Sequence, residues 1–169
     1  MKMTFRHYGN DDPISLEYIA QIPGVTGVMV MMNEWEAGEV WEKDVFQEYV
    51  DKCHAVGLDC EIIESINVHE DIKMGLPTRD KYIENYKESL RNVAACGVKT
   101  VIYNFMPVFD WVKTELYKEL PDGSNTLAFD QAKVEGLSPR DMVNDILDGA
   151  GNFELPGWEL ERLSQLEDV

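Results

Sequence analysis

The sequence has 169 residues, 44% of them hydrophobic and 10% aromatic, which suffices for one domain with a sizeable core and is too apolar for a disordered chain. Asp and Glu number 32 against 15 Lys and Arg, a formal charge of −17; that excess repels phosphate backbones and anionic lipid and argues against nucleic acid and membrane surfaces as partners. It also repels an anionic small molecule unless a metal ion or a local arginine offsets it.

Cys53, Cys60 and Cys96 are odd in number and fall at apolar positions, the pattern of buried reduced thiols in a reducing compartment. No apolar run approaches the ~20 residues that span a bilayer. The opening Met1–His7 lacks the apolar segment of a signal peptide, so a cytoplasmic protein is expected.

In chain order, Met3–Tyr8 is a candidate strand ending at the turn formers Gly9, Asn10, Asp11, Asp12 and Pro13. Ser15–Gln21 places Leu16, Ile19 and Ala20 on one face of a short helix, stopped by Pro23 and Gly24. Val25–Met32 is almost continuously apolar, as a strand buried on both faces would be; its methionines, Met29, Met31 and Met32, are expected in the core. A polar loop with Trp35 and Trp41 as anchors precedes Lys43–Val56, where Val45, Phe46, Tyr49, Val50, Cys53 and Val56 recur at helical spacing. Leu58–Ile63 is a third strand with Glu64 at its end, and 67–77 is expected to be a loop carrying His69, Glu70 and Asp71. Thr78 is the expected N-cap of a helix to Cys96 with Tyr82, Ile83, Tyr86, Leu90, Val93 and Ala94 as its apolar stripe.

A fourth strand starts at Val98, Val101 and Ile102, then turns polar at Tyr103 and Asn104; the stretch to Trp111 either caps the core or walls a site. Beyond it, Lys113–Leu120 and Thr126–Phe129 flank Pro121, Asp122, Gly123 and Ser124, the pattern of a β-hairpin. Ser138–Leu147 is expected to be a short helix capped by Ser138, 149–157 a loop, and Glu159–Leu166 an acidic helix.

Gly24, Gly57 and Gly97 each introduce an apolar strand, at intervals of 33 and 40 residues, the size of one βα unit. The class is therefore α/β with a parallel sheet. A doubly wound sheet and a (β/α)8 barrel both fit, although no glycine-rich phosphate loop follows any strand. In either, ligands lie at the carboxyl ends of the strands, where Arg6 and Tyr8, Glu64 and His69, and Tyr103 and Asn104 fall.

Among these, Arg6 is the best candidate for contact with a substrate, since an arginine in an apolar strand needs a partner. A bound carboxylate offers bidentate geometry, and a salt bridge with Glu64 is the alternative. Glu64 is either that partner or, if desolvated, a general base. His69 is either a solvated loop residue or a functional histidine. His54 is expected to be a surface or packing residue of a helix, and His7 is open to either reading. There is no Ser/His/Asp elbow, C-x-x-C pair or two-histidine helix motif.

Two long motifs, Val68-His69-Glu70-Asp71-Ile72-Lys73-Met74-Gly75-Leu76-Pro77-Thr78-Arg79-Asp80 continuing to Tyr86, and Tyr103-Asn104-Phe105-Met106-Pro107-Val108-Phe109-Asp110-Trp111, resemble the mannonate dehydratases of hexuronate breakdown. The likeness includes Met3-Thr4-Phe5-Arg6 and Glu119-Leu120-Pro121-Asp122-Gly123-Ser124, runs to about Glu135, and returns at Leu155-Pro156-Gly157-Trp158-Glu159. The resemblance implies a (β/α)8 TIM barrel of the xylose-isomerase-like type, of which residues 1–169 form the amino-terminal half: one partial-barrel domain with strands 1–4 and their helices, a β-hairpin insertion at 112–130 after strand 4, and strands 5–8 absent from the chain. It implies conversion of D-mannonate to 2-dehydro-3-deoxy-D-gluconate and water with Mn2+ or Fe2+, in a protein that is a homo-oligomer when complete.

In that family the metal ligands and the catalytic histidine and tyrosine lie on the later strands. The expectation is that this chain holds no catalytic and no metal-binding residue, the ligands lying beyond Val169, and is inactive alone. Arg6, Tyr8, His69, Tyr103 and Asn104 are the expected substrate-binding residues. A half-barrel that associates with itself or with a complementary half, and a sugar isomerase or epimerase on the same barrel type, are the alternative functions.

Overall fold

The computed structural model describes residues 1–105, 113–138, 140, 141 and 144. The chain forms two compact units, Met1–Val108 and Phe109–Val169. In the first, β1 (Met3–His7), β2 (Val25–Val30), β3 (Asp59–Ile63) and β4 (Thr100–Val101) make one parallel sheet in the order β1-β2-β3-β4. The order never reverses, so these four strands contain none of the switch points of a doubly wound sheet. Helices α1 (Leu16–Ala20), α2 (Lys43–Ala55), α3 (Glu70–Lys73) and α4 (Arg79–Ala95) come from the connections.

Registered residues of parallel strands point to the same side. His7, Val30, Ile63 and Val101 form one such row, and all four belong to or pack against the buried side. Arg6, Met29, Ile62 and Thr100 form the next row, and none of them is buried. One face of the sheet thus carries the core, with Phe46, Tyr49, Val50 and Cys53 of α2 and Val93 of α4, and the other is the open face, where Arg6, Met29, Ile62 and Thr100 keep part of their surface accessible.

Two irregularities keep this division consistent. Thr26 is an extra residue in β2, because Met3 and Thr4 pair with Val25 and Gly27. In β3 the chain advances from Asp59 to Ile62 while β2 advances only from Gly27 to Met29. The extra residue lets Cys60 and Ile63 both reach the core although three positions separate them. Gly27 sits at the second irregularity for a steric reason: a Cβ there would lie 2.6 Å from the Asp59 carbonyl oxygen.

Several sequence expectations change in detail. β2 is not buried on both faces: Met32 is in the core, but Met29 and Met31 lie half-buried on the open side. Val45 of α2 and Ala94 of α4 are exposed, off the packed faces. The stretch expected as loop at 67–77 contains α3, with His69 as its N-cap. Thr78 does not cap α4 through its side chain; its hydroxyl donates instead to the Asp71 carboxylate. The fourth strand is only two residues long, extended by the Lys99 N–H to Glu61 and Ile102 N–H to Ile63 backbone bonds. Trp35 and Trp41 are buried anchors, stacked 4.7 Å apart, and His54 is exposed.

The largest departure is on α4, where Ser89 is fully buried among apolar side chains. It can be, because both its hydrogen-bonding capacities are used: Oγ accepts the Trp41 N–H at 3.0 Å and donates to the Asn85 carbonyl at 3.0 Å. Asn85 donates to the Gly38 carbonyl and Asn92 to the Trp41 carbonyl. These residues, spaced for one helix face, fasten the β2–α2 loop to α4.

The second unit contains the expected hairpin, β5 (Glu115–Glu119) paired antiparallel with β6 (Asn125–Ala128). Asp122 accepts from the Ser124 N–H and hydroxyl in the turn. A short helix α5 (Gln131–Val134) follows. Ser138 Oγ accepts the Asp141 N–H, and Asp141 accepts the Ser138 N–H in return, the reciprocal arrangement of a capping box. The remainder of the Ser138–Leu147 helix, the 149–157 loop, the Glu159–Leu166 helix and the 106–111 wall lie outside the described residues.

Two predictions follow from these contacts. Gly38 has φ +88°, and a Cβ on it would lie 2.5 Å from Tyr82 Cδ1 and 2.8 Å from His69 Cδ2. Gly38→Ala combines left-handed strain with overpacking and lowers stability by about 2–5 kcal/mol, measurable as a drop in the urea midpoint. At the amino ends of the strands, Lys2 reaches Asp59 and Glu61, and Lys99 reaches Glu61. Lys2 and then Lys99 hold the Glu61 carboxyl below its usual range, and Glu61 and then Asp59 raise the Lys2 ammonium. The Glu61 contribution is present above the unfolded carboxyl pKa and disappears as pH falls through the lower folded value; the Lys2 contribution is present below the unfolded lysine pKa and disappears as pH rises through the higher folded value. The stability gap between wild type and Glu61→Gln is therefore flat from about pH 5 to 10 and narrows on both sides, as urea titrations across pH will show.

Candidate functional site

β1 alternates, so its last two residues serve different faces. His7 points into the core at 4% exposure. Its Nε2 lies 3.0 Å from the Ile14 carbonyl oxygen, which can only accept, so the hydrogen-bond network assigns the proton to Nε2. Nδ1 then accepts the Tyr49 hydroxyl at 2.6 Å. Burial pushes the Tyr49 phenol far above its usual range, so it remains a donor. Both histidine nitrogens are satisfied, which makes His7 a structural residue that ties β1 to α2.

Arg6, one residue earlier, stands on the open face at the carboxyl end of β1. Its Nε is 2.7 Å from Glu64 Oε2, at the end of β3. Tyr8 lies beside the guanidinium with 4.7 Å between Cζ and the ring centroid, and Nη2 donates to Met31 Sδ at 3.7 Å. Glu64 Oε2 is buried with no hydrogen bond of acceptable geometry, so the close contact with Arg6 is an ion pair and not a directed hydrogen bond. The sequence left Arg6 between a substrate contact and a Glu64 salt bridge; the structure makes the salt bridge, and it occupies only Nε. Among the described residues Nη1 has no hydrogen-bond partner.

His69 belongs to a second cluster. It is 9% exposed, its ring stacked on Tyr82 at 3.6 Å and 10°, and its Nδ1 accepts the Asp71 N–H at 3.1 Å. Asp71 Oδ1 is 3.5 Å from the same nitrogen; a nitrogen that accepts a hydrogen bond carries no proton, so in this tautomer the contact is not an ion pair. The Gly38 backbone passes against both rings. Tyr103 is largely exposed and lies close enough to Tyr86 of α4 to add to the rise that burial gives the Tyr86 phenol. Asn104 is half-buried just beyond β4. Arg6, Tyr8 and Glu64 are thus brought together, while His69 and Tyr103 each have separate surroundings.

Sequence reasoning missed Met31 as a neighbour of Arg6. The bulge at Thr26, which decides the face each β2 methionine takes, leaves no mark in an apolar run. It also missed that Asn85, Ser89 and Asn92 hold the β2–α2 loop, whose Gly38 lies against His69, although the polar spacing at 85, 89 and 92 could have signalled it.

No group of three or more His, Cys, Asp or Glu among the described residues could hold a metal ion. The cysteines are buried and free. The Cys60 thiol is raised by its hydrogen bond with Cys53 and by burial, and the Cys96 thiol by burial; both favour the protonated form, which is a poor ligand. The described residues do not fit a divalent ion. Among them no helix is long and apolar enough to cross a membrane.

The comparisons with known proteins agree with the motifs. Mannonate dehydratase from Lachnoclostridium phytofermentans is 52% identical over 171 residues, covering all of this chain and 48% of that protein. The enzyme of the same name from Thermotoga petrophila is 51% identical, with all of this chain and 47% of the relative covered. The crystal structure of mannonate dehydratase from Streptococcus suis serotype 2 superposes with a TM-score of 0.74 at 42% identity, over 99% of this chain and 47% of that one. The chain spans about half the length of the curated relatives it matches. The D-mannonate dehydratase (UxuA) family model matches residues 1–169, and the chain belongs to that family.

Proposed function

We propose that residues 1–169 are the amino-terminal half of a mannonate dehydratase, which removes water from D-mannonate to give 2-dehydro-3-deoxy-D-gluconate in hexuronate breakdown. The sheet supplies four of the eight strands of a (β/α)8 barrel of the xylose-isomerase-like type, and the hairpin is an insertion after the fourth. Support for the barrel comes from the unreversed strand order and from a core on one face only, since a closed sheet keeps its helices outside. The Mn2+ or Fe2+ of this reading has no ligand set among the described residues.

The observation that carries the reading is the braced guanidinium at the strand ends. With Nε on Glu64 and one face against Tyr8, Arg6 keeps its Nη edge for an anion. That edge matches the carboxylate of a sugar acid in bidentate fashion, by directed N–H donors at contact. Asn104 and Tyr103 offer an amide and a phenol to substrate hydroxyls. His69, held by Tyr82 and Gly38, presents a rotamer locked by packing, which favours positioning of the sugar chain.

The test is a chimera in which residues 1–169 replace the matching segment of the Lachnoclostridium phytofermentans enzyme. It is expected to form 2-dehydro-3-deoxy-D-gluconate from D-mannonate in the presence of Mn2+ or Fe2+. Arg6→Ala is expected to lower kcat/KM by about 10²-fold or more, the loss typical of one partner of a close charge pair. A folded chimera that leaves D-mannonate untouched, or that interconverts aldose and ketose instead, refutes the reading.

A further inference from the structure

The Arg6–Glu64 pair contains more recognition chemistry than a carboxylate contact requires. The ion pair with Arg6 uses Glu64 Oε2, which is buried. The other oxygen, Oε1, accepts no hydrogen bond among the described residues, and the side chain retains 19% exposure, on the open face. An ionised carboxylate is acceptor-only, so a ligand that displaces water from Oε1 has to bring a donor in its place. Arg6 already balances its charge, so a neutral donor satisfies Oε1 without adding an uncompensated cation. The hydroxyl group is the neutral donor that a sugar acid carries next to its carboxylate.

We propose that Glu64 determines specificity: while Arg6 takes the carboxylate of the substrate on its Nη edge, Glu64 Oε1 accepts the hydroxyl on the adjacent carbon, so that the pair reads a 2-hydroxy acid as a unit. This rests on the reading of Arg6 as the carboxylate contact and deepens it. The arrangement also sets the ligand's direction. A carboxylate turned towards Glu64 meets a like charge, whereas one on the Nη edge puts its neighbouring carbon beside Oε1. Tyr8 covers a face of the guanidinium and Met31 sulfur sits at Nη2, which restricts the approaches left to the ligand. An acid without the 2-hydroxyl leaves Oε1 facing the ligand with no donor, and a site built to bond a hydroxyl discriminates strongly against the analogue that lacks it.

The experiment titrates the 169-residue chain with D-mannonate and with its 2-deoxy counterpart, following the Arg6 side-chain Nε–H resonance and fitting both affinities. In the wild type the 2-deoxy acid is expected to bind about tenfold more weakly or worse, the effect of one hydrogen bond to a charged acceptor. Glu64→Gln, which keeps a neutral acceptor, should retain part of that ratio, and Glu64→Leu, which keeps none, should bring it to unity; backbone amide spectra establish that each variant is folded. A ratio unchanged in both variants, or an equal loss of affinity for both acids with the ratio intact, overturns the assignment and leaves Glu64 as a brace for Arg6. If both acids move Arg6 equally in the wild type, the Glu64 proposal alone fails. If neither moves it, the Arg6 reading fails as well.

Discussion

The alternation of side chains along β1 is the constraint on which the rest depends. Consecutive residues of a strand cannot face the same way, so a single core on one side of the sheet forces His7 and Arg6 apart. His7 goes to the helix side, where burial requires that both ring nitrogens be bonded, and Ile14 and Tyr49 meet that requirement. Arg6 then has to go to the open side. Its charge cannot be left unanswered so close to a sheet, and the nearest strand end that can answer it is that of β3, through Glu64. The placement of the candidate site is thus a consequence of the core, reached through one peptide unit.

That dependence has a second layer in the bulges. If β3 ran in regular register from Asp59, Cys60 and Ile63 would point to opposite faces. The extra residue brings both to the core and leaves Glu61 for Lys2 and Lys99 at the amino ends. The same irregularity sets the phase with which Glu64 leaves the strand, one residue after Ile63 and opposite to it. The bulge therefore serves the packed face and the site together, and Gly27 permits it by leaving room for the Asp59 carbonyl.

How much of this could be read from residues alone follows from the same physics. The βα order, the four strands and the hairpin were legible, because apolar runs, helical spacing and turn residues are local signals. The face taken by Met29 or Met31 was not, since a bulge in an apolar run leaves no trace in composition. Ser89 was illegible for a related reason: a serine inside an apolar stripe looks like an interruption until its partners, the Trp41 N–H and the Asn85 carbonyl, are in place. Of the site, Arg6 and its Glu64 partner were legible as a strand-end pair. Tyr103 was legible from the polarity after β4 only as either a cap or part of a site; in the structure it lies near Tyr86 and is largely exposed. His69 was visible as a motif, but its support by Tyr82 and Gly38 comes from segments far apart in the chain.

The charge of the protein gives the site its remaining meaning. Lys2 and Lys99 are engaged at the amino ends of the strands, Lys73 is paired with Glu70, and Lys52 donates to Asn10. Arg6 is itself neutralised by Glu64, so the pair adds no net positive field to a chain of −17. Long-range attraction is then a poor source of affinity for an anionic acid, because the summed field opposes its approach. What remains is directed bonding at contact: two parallel N–H donors for a carboxylate and an acceptor for a hydroxyl. On the proposed reading, a site of that kind selects by the pattern of donors and acceptors and not by charge alone.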